Sequence, residues 1–91
     1  MEIEISKSIT VNGKELTKLE LDFNKITGRD LVQSEVGARA KGDTSPAIFL
    51  SMKFQMIVAA KEMGVKYEDL MELPASDCKK IIAPTALFLV G

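Results

Sequence analysis

Histidine and tryptophan are absent from this 91-residue chain and cysteine occurs once, at Cys78. A lone thiol excludes an internal disulfide framework, and the missing imidazoles exclude the usual Cys/His zinc sites. Nucleophilic catalysis on the Ser-His pattern is excluded with them, because no imidazole is there to act as base. Net charge is also scarce. Twelve basic residues balance thirteen acidic ones to give −1, so no one-signed field gathers a polyanion or an acidic bilayer. Nucleic acid is therefore not the expected partner. The few aromatic residues (Phe23, Phe49, Phe54, Phe88 and Tyr67) lie mostly in apolar runs rather than among basic residues. No run approaches the roughly 20 apolar residues that span a bilayer, and no basic segment followed by an apolar stretch marks a secretory signal. The expectation is a cytoplasmic protein with no membrane partner.

What is present suits one folded domain. Apolar residues make up 46% and charged residues 27%, away from the low-hydrophobicity, high-charge regime of disorder. Ile3, Ile5, Ile9 and Val11 alternate with polar residues, as do Leu19, Leu21 and Phe23, which is the period of a strand with one buried face. Asn12-Gly13 between them supplies the positive φ values of a two-residue type I′ turn, so the expected hairpin covers about 2–23. Alternation breaks at Lys7 and at Leu16 to Lys18, which points to a bulge or a longer loop. A hairpin alone is marginal in water and needs helices to cover its apolar face. An open strand edge on it would be a route to self-association into a homo-oligomer.

Four helices are expected, about 28–40, 46–63, 67–73 and 76–89. Thr27 with Asp30 reads as a capping box, Glu35 and Arg39 pair at i,i+4, and Gly37 weakens the interior by about 1 kcal/mol. Lys41 to Thr44 forms a breaker-rich loop. Ser45-Pro46 opens the second helix and Gly64 closes it. That helix is apolar almost all round, so it is either the centre of the core or one face awaits another chain. Pro74 stops the third segment, Ser76-Asp77 starts the last, and Pro84 is expected to break it near Ala83. The fold class is α+β, a hairpin packed on a small bundle of three to four helices.

Two clusters bear on chemistry. Cys78, beside Lys79 and Lys80 near a helix start, could be drawn as a thiol with lowered pKa, but a buried or incidental thiol is the preferred reading. Glu68, Asp69 and Glu72 draw either as a carboxylate or hard-cation site or as the solvated face of a helical turn, and the second reading is preferred. No glycine pattern marks a phosphate loop, so no cofactor is expected. Methionine is more informative. Met52, Met56 and Met63 share a helical face, with Met71 shortly after. Thioethers fill irregular cores and also line surfaces that adapt to partners. On the second reading the candidate partner-binding residues are Phe49, Met52, Met56, Met63, Met71, Leu87 and Phe88, the last two from the apolar stretch Ala86 to Val90.

Ser6-Lys7-x-Ile9-x-Val11-x-Gly13-Lys14, Leu19-x-Leu21, Thr27 to Leu31, Ala59-Ala60-Lys61-x-x-Gly64-Val65 and Glu68-Asp69-Leu70-Met71-x-Leu73-Pro74 follow one another in that order. In order and spacing they resemble the Mu-like tail assembly chaperones of long-tailed bacteriophages and prophages, over most of the chain. That resemblance implies a non-enzymatic protein of the host cytoplasm. It would bind the tape measure protein, keep its long helices soluble, and assist tail tube assembly. It also implies two further partners, a frameshifted and C-terminally extended form of the chain itself and the tail tube protein. The competing expectation is a structural tail or connector subunit retained in the virion. Pro84 departs from the uninterrupted last helix that the family implies.

Overall fold

In the computed structural model, which describes residues 1–91, strands β1 (Glu2–Val11) and β2 (Lys14–Glu20) form an antiparallel hairpin ahead of all the helices. Asn12 at φ 51° and Gly13 at φ 79° make the two-residue turn, and Val11 pairs directly with Lys14. Ile3, Ile5, Ile9, Leu19 and Leu21 fill the inner face as the alternation requires. The break in alternation is a wide bulge. Between the pairs Glu4–Lys18 and Ile9–Leu16, four β1 residues (Ile5 to Ser8) face Thr17 alone.

Helix α1 (Gly28–Ala40) starts at the expected capping box: the Thr27 hydroxyl accepts from the Asp30 amide at 3.2 Å and the Asp30 carboxylate accepts from the Thr27 amide at 3.0 Å. A single 3-10 turn at Phe23–Lys25 leads into it from the hairpin.

The second helix, α2, spans Met52–Met63 and so begins six residues later than the expected start at residue 46. Asp43 explains the delay. Its carboxylate accepts from the Ser45 amide at 2.8 Å and from the Ser51 hydroxyl, while the Arg39 guanidinium donates to the Asp43 and Ser45 carbonyls. Ser45 is thereby held in the loop, a 3-10 turn takes Ile48–Leu50, and Ser51 becomes the cap by accepting from the Phe54 amide. At the other end Gly64 sits at φ 71°, with Val65 N–H on the Ala60 carbonyl and Gly64 N–H on that of Lys61, the paired closure that a left-handed C-cap allows.

Helix α3 (Tyr67–Met71) is a short turn before Pro74, two residues shorter than expected, and α4 (Ala75–Val90) is continuous through Pro84. The expected break at Pro84 is thus corrected. The proline removes the donor that would otherwise reach the Lys80 carbonyl, at a residue exposed to solvent. One turn further on the Thr85 hydroxyl donates to the Ile81 carbonyl at 2.7 Å, and Ile81 and Thr85, both fully buried, anchor the helix on either side of the proline. Asp77, read with Ser76 as the start of this helix, lies in its first turn and reaches back onto β1. It is 1% exposed and accepts from the Ser6 amide and hydroxyl and the Lys7 amide at 2.9–3.3 Å, satisfying the donors that the bulge frees.

Apolar burial centres on α2. One side (Met56, Ala59, Ala60) joins the hairpin, Leu70, Leu73 and Ile81; the other (Phe54, Val58) joins Ala38 of α1 with Leu31, Ile48 and Leu89. A helix clamped on two sides reads as apolar all round, so the sequence pattern is that of the core's central helix. Gln55, one of its four polar residues, is also buried, and its amide donates to the Phe49 carbonyl at 2.9 Å.

Candidate functional site

Where α2 begins, the core opens into a cleft of about 580 Å³. Its floor is apolar: Met52 and Met56 from α2, Tyr67 and Met71 from α3, and Cys78 and Ile82, one turn apart, from α4. Its polar wall is the loop Gly42 to Ser45 together with Ser51 and Lys53. The Asp43 network fixes that wall. The Ser51 hydroxyl foremost, and then Ser45, pull the Asp43 carboxyl down to about 2, so it is ionised and spent on the loop. Lys41 braces the same edge, its ammonium 3.1 Å from Glu68 and 5.2 Å above the Tyr67 ring.

Three of the seven candidate partner-binding residues meet here. Met52 is 65% exposed and Met71 44% exposed, whereas Met56 is 2% exposed and belongs to the core beneath them. Met56 is therefore corrected from a surface contact to a supporting one, because the two-sided clamp on α2 covers its position. The other four lie elsewhere. Met63 is half-buried against the main core at the far end of α2. Phe49 stacks on Phe54 with centroids 5.5 Å apart and borders a separate shallow hollow with Leu31, Val32 and Ile48. Phe88 stacks on Phe23 at 4.8 Å, which ties the end of α4 to the turn after the hairpin, and Leu87 points to solvent at 73% exposure. The single Met-rich stripe expected along α2 is thus split by the bundle into a cleft and a core.

Sequence reasoning missed Tyr67, Cys78, Ile82 and Lys53. Cys78 and Ile82 were legible as an i,i+4 pair on α4, but only the angle at which α4 crosses α2 brings them over Met52 and Met56. Of the two readings of Cys78, the preferred one, a buried or incidental thiol, is the one the structure favours over a lowered pKa. Burial, and then the neighbouring Asp77 carboxylate, push the Cys78 thiol up, and its sulfur donates to the Leu70 and Leu73 carbonyls at 3.4 and 3.7 Å. Glu68 is occupied by Lys41, which lowers its pKa, and no three His, Cys, Asp or Glu side chains converge closely enough to hold a metal ion.

The cleft thus offers apolar sulfur and ring surface beside one carboxylate, Asp43, and one lysine, Lys53. Lys53 is half-buried at its edge; its ammonium donates to the Lys41 carbonyl at 2.9 Å and no carboxylate lies within ion-pair distance. No helix of the fold is long and apolar enough to cross a membrane. Comparison with known family models, characterised proteins and solved structures finds no match to this chain.

Proposed function

We propose that this protein is a tail assembly chaperone of a long-tailed phage or prophage, holding helical segments of the tape measure protein by non-covalent contact until the tail tube forms around them. The observation that carries the reading is the cleft. Two exposed methionines and the Tyr67 and Ile82 side chains line a concavity within the usual size range of ligand sites, on a bundle that otherwise closes its core. Thioether side chains repack around different apolar faces, which suits a protein that must hold many segments of one long helix in turn. An amphipathic helix laid apolar-side down in a groove is the recognition mode that this shape favours. The order of sequence elements from Ser6 to Pro74 supplies the link to phage tails. On this reading the protein works in the host cytoplasm and performs no covalent chemistry. The frameshifted long form and the tail tube protein are its further partners.

Co-expression with the long coiled-coil protein of the same tail gene cluster tests this. The two should co-purify, and the partner should stay soluble only in the presence of this chain. A partner that is equally soluble alone and fails to co-purify contradicts the proposal.

A second reading, a subunit retained in the virion, draws on a different surface. Val32 and Val36 stand at 63% and 65% exposure one turn apart on α1, away from the cleft, as a permanent packing face would. Finding the chain in fixed stoichiometry in mature tails favours that reading over the chaperone.

A further inference from the structure

The two edges of the hairpin differ. Along the outer side of β1, the Asp77 carboxylate takes the Ser6 and Lys7 amides, the Lys80 ammonium donates to the Glu4 carbonyl at 3.0 Å, and α4 packs against the strand. That edge is closed. On the other side, β2 has only β1 as a close backbone neighbour along its length. Lys14 closes the turn against Val11, Leu16 and Leu19 pair with Ile9 and Ile3, and the Leu21 amide donates to the Met1 carbonyl. By antiparallel alternation the main-chain groups of Glu15, Lys18 and Glu20 therefore point away from β1. No turn, loop or cap hydrogen bond reaches them, and all three side chains are exposed. The usual protections of a free edge are missing from β2: it has no proline, the bulged residues are on β1, and its charges are mixed in sign.

We infer that β2 is a self-pairing edge, to which a second copy of this chain adds its own β2 antiparallel across a two-fold axis, making one four-stranded sheet. The order of charges selects both the occupant and its direction. A copy added parallel and in register sets Glu15 on Glu15 and Lys18 on Lys18, which repel. Antiparallel registers that bring Glu15 against Glu20, or Lys18 against itself, fail in the same way. The two that remain match free main-chain groups to free main-chain groups and place Lys18 opposite a glutamate of the copy, either Glu15 or Glu20. The two-fold axis repeats that pair, so each register gives two hydrogen-bonded pairs and two opposite-charge contacts. Neither Glu15 nor Lys18 makes an ion pair within its own chain. A strand of unrelated sequence would share the main-chain bonds but not the matched charges. The contact is made of main chain and exposed charge, so the dimer is weak and salt-sensitive. It leaves the cleft free and does not depend on what the cleft binds.

Sedimentation velocity of the full chain over a concentration series at low salt tests this. The species should move from 10.0 kDa towards twice that mass as concentration rises, and fall back as salt is added. Lys18→Glu makes the free edge acidic at all three positions, and Glu15→Lys with Glu20→Lys makes it basic at all three. Each variant alone should stay monomeric, whereas an equimolar mixture should form a one-to-one dimer at least as tight as that of the unmodified chain. Hydrogen exchange should slow at the Glu15, Lys18 and Glu20 amides in the dimer. Lys18 also lies opposite Glu4 within the hairpin, so circular dichroism checks that the acidic variant folds. If it does not, the basic variant decides alone: monomeric supports the pairing, dimeric overturns it. A chain that stays monomeric throughout, a dimer that the charge reversals leave intact, or a mixture that does not associate overturns the inference.

Discussion

Substituting Gly37 by alanine probes how α1 lies on α2. A Cβ built at Gly37 meets only Ile57, with Cγ2 at 3.9 Å and Cδ1 at 4.0 Å, which is ordinary contact distance. The residue lies inside α1 with three residues to go before its end, so the substitution recovers the helix-propensity difference of about 1 kcal/mol. Two new carbon contacts add a few tenths of a kcal/mol through dispersion. Together they give about 1 to 1.5 kcal/mol, which for a domain of this size raises Tm by about 5–10 °C. Thermal melts followed by far-UV circular dichroism, with urea midpoints as a second measure, read this directly. A Tm that stays level or falls would refute the reasoning, because it would mean that α1 sits closer to Ile57 than described, or that Gly37 does not lie on the contact face.

Acidification should weaken the fold from a definite side. Burial alone would raise the Asp77 carboxyl, but the Ser6 and Lys7 donors and Lys80 hold it below the usual range, and Asp43 lies at about 2. Stability from both is full above the unfolded carboxylate value of about 4 and drains away as pH falls through the folded values, so the urea midpoint should drop below about pH 4. Asp77→Asn should lower the midpoint at neutral pH and reduce that drop. Pro84→Ala restores a donor to the Lys80 carbonyl in a helix that is already continuous, so it should add about 1–3 kcal/mol by chemical denaturation; a loss would show that the proline bends α4 into place. Under dilute peroxide, peptide mapping should find Met52 and Met71 oxidised well before Met63, with Met56 last.

Local signals with a backbone mechanism were legible. Asn12-Gly13, the Thr27–Asp30 box and Gly64 each fix φ values or hydrogen bonds within a few residues, and each stands where the pattern placed it. The signals that failed had competition from a distance. Ser45-Pro46 has the chemistry of a helix start, but Asp43 and Arg39 take Ser45 into the loop and leave Ser51 to cap. Asp77 marks the helix start as read, but its carboxylate is taken by a β1 bulge seventy-one positions away in sequence, which no local signal shows. Pro84 reads as a break only while its helix is considered alone; buried anchors on both sides carry the helix through it. For the site, helical period put Met52, Met56 and Met63 on one face, yet the angles at which α3 and α4 cross α2 decide which of them is open. Those angles have no signature in the spacing of α2 itself.

The central claim is that a partner helix docks in the cleft of Met52, Met56 and Met71, and the five methionines are well distributed to test it. With methyl-¹³C methionine in the chain, NMR titration with a helical fragment of the tape measure protein should shift Met52, Met56 and Met71 and leave Met1 and Met63 in place. Shifts confined to Met1 or Met63, or none at saturating fragment, would contradict it.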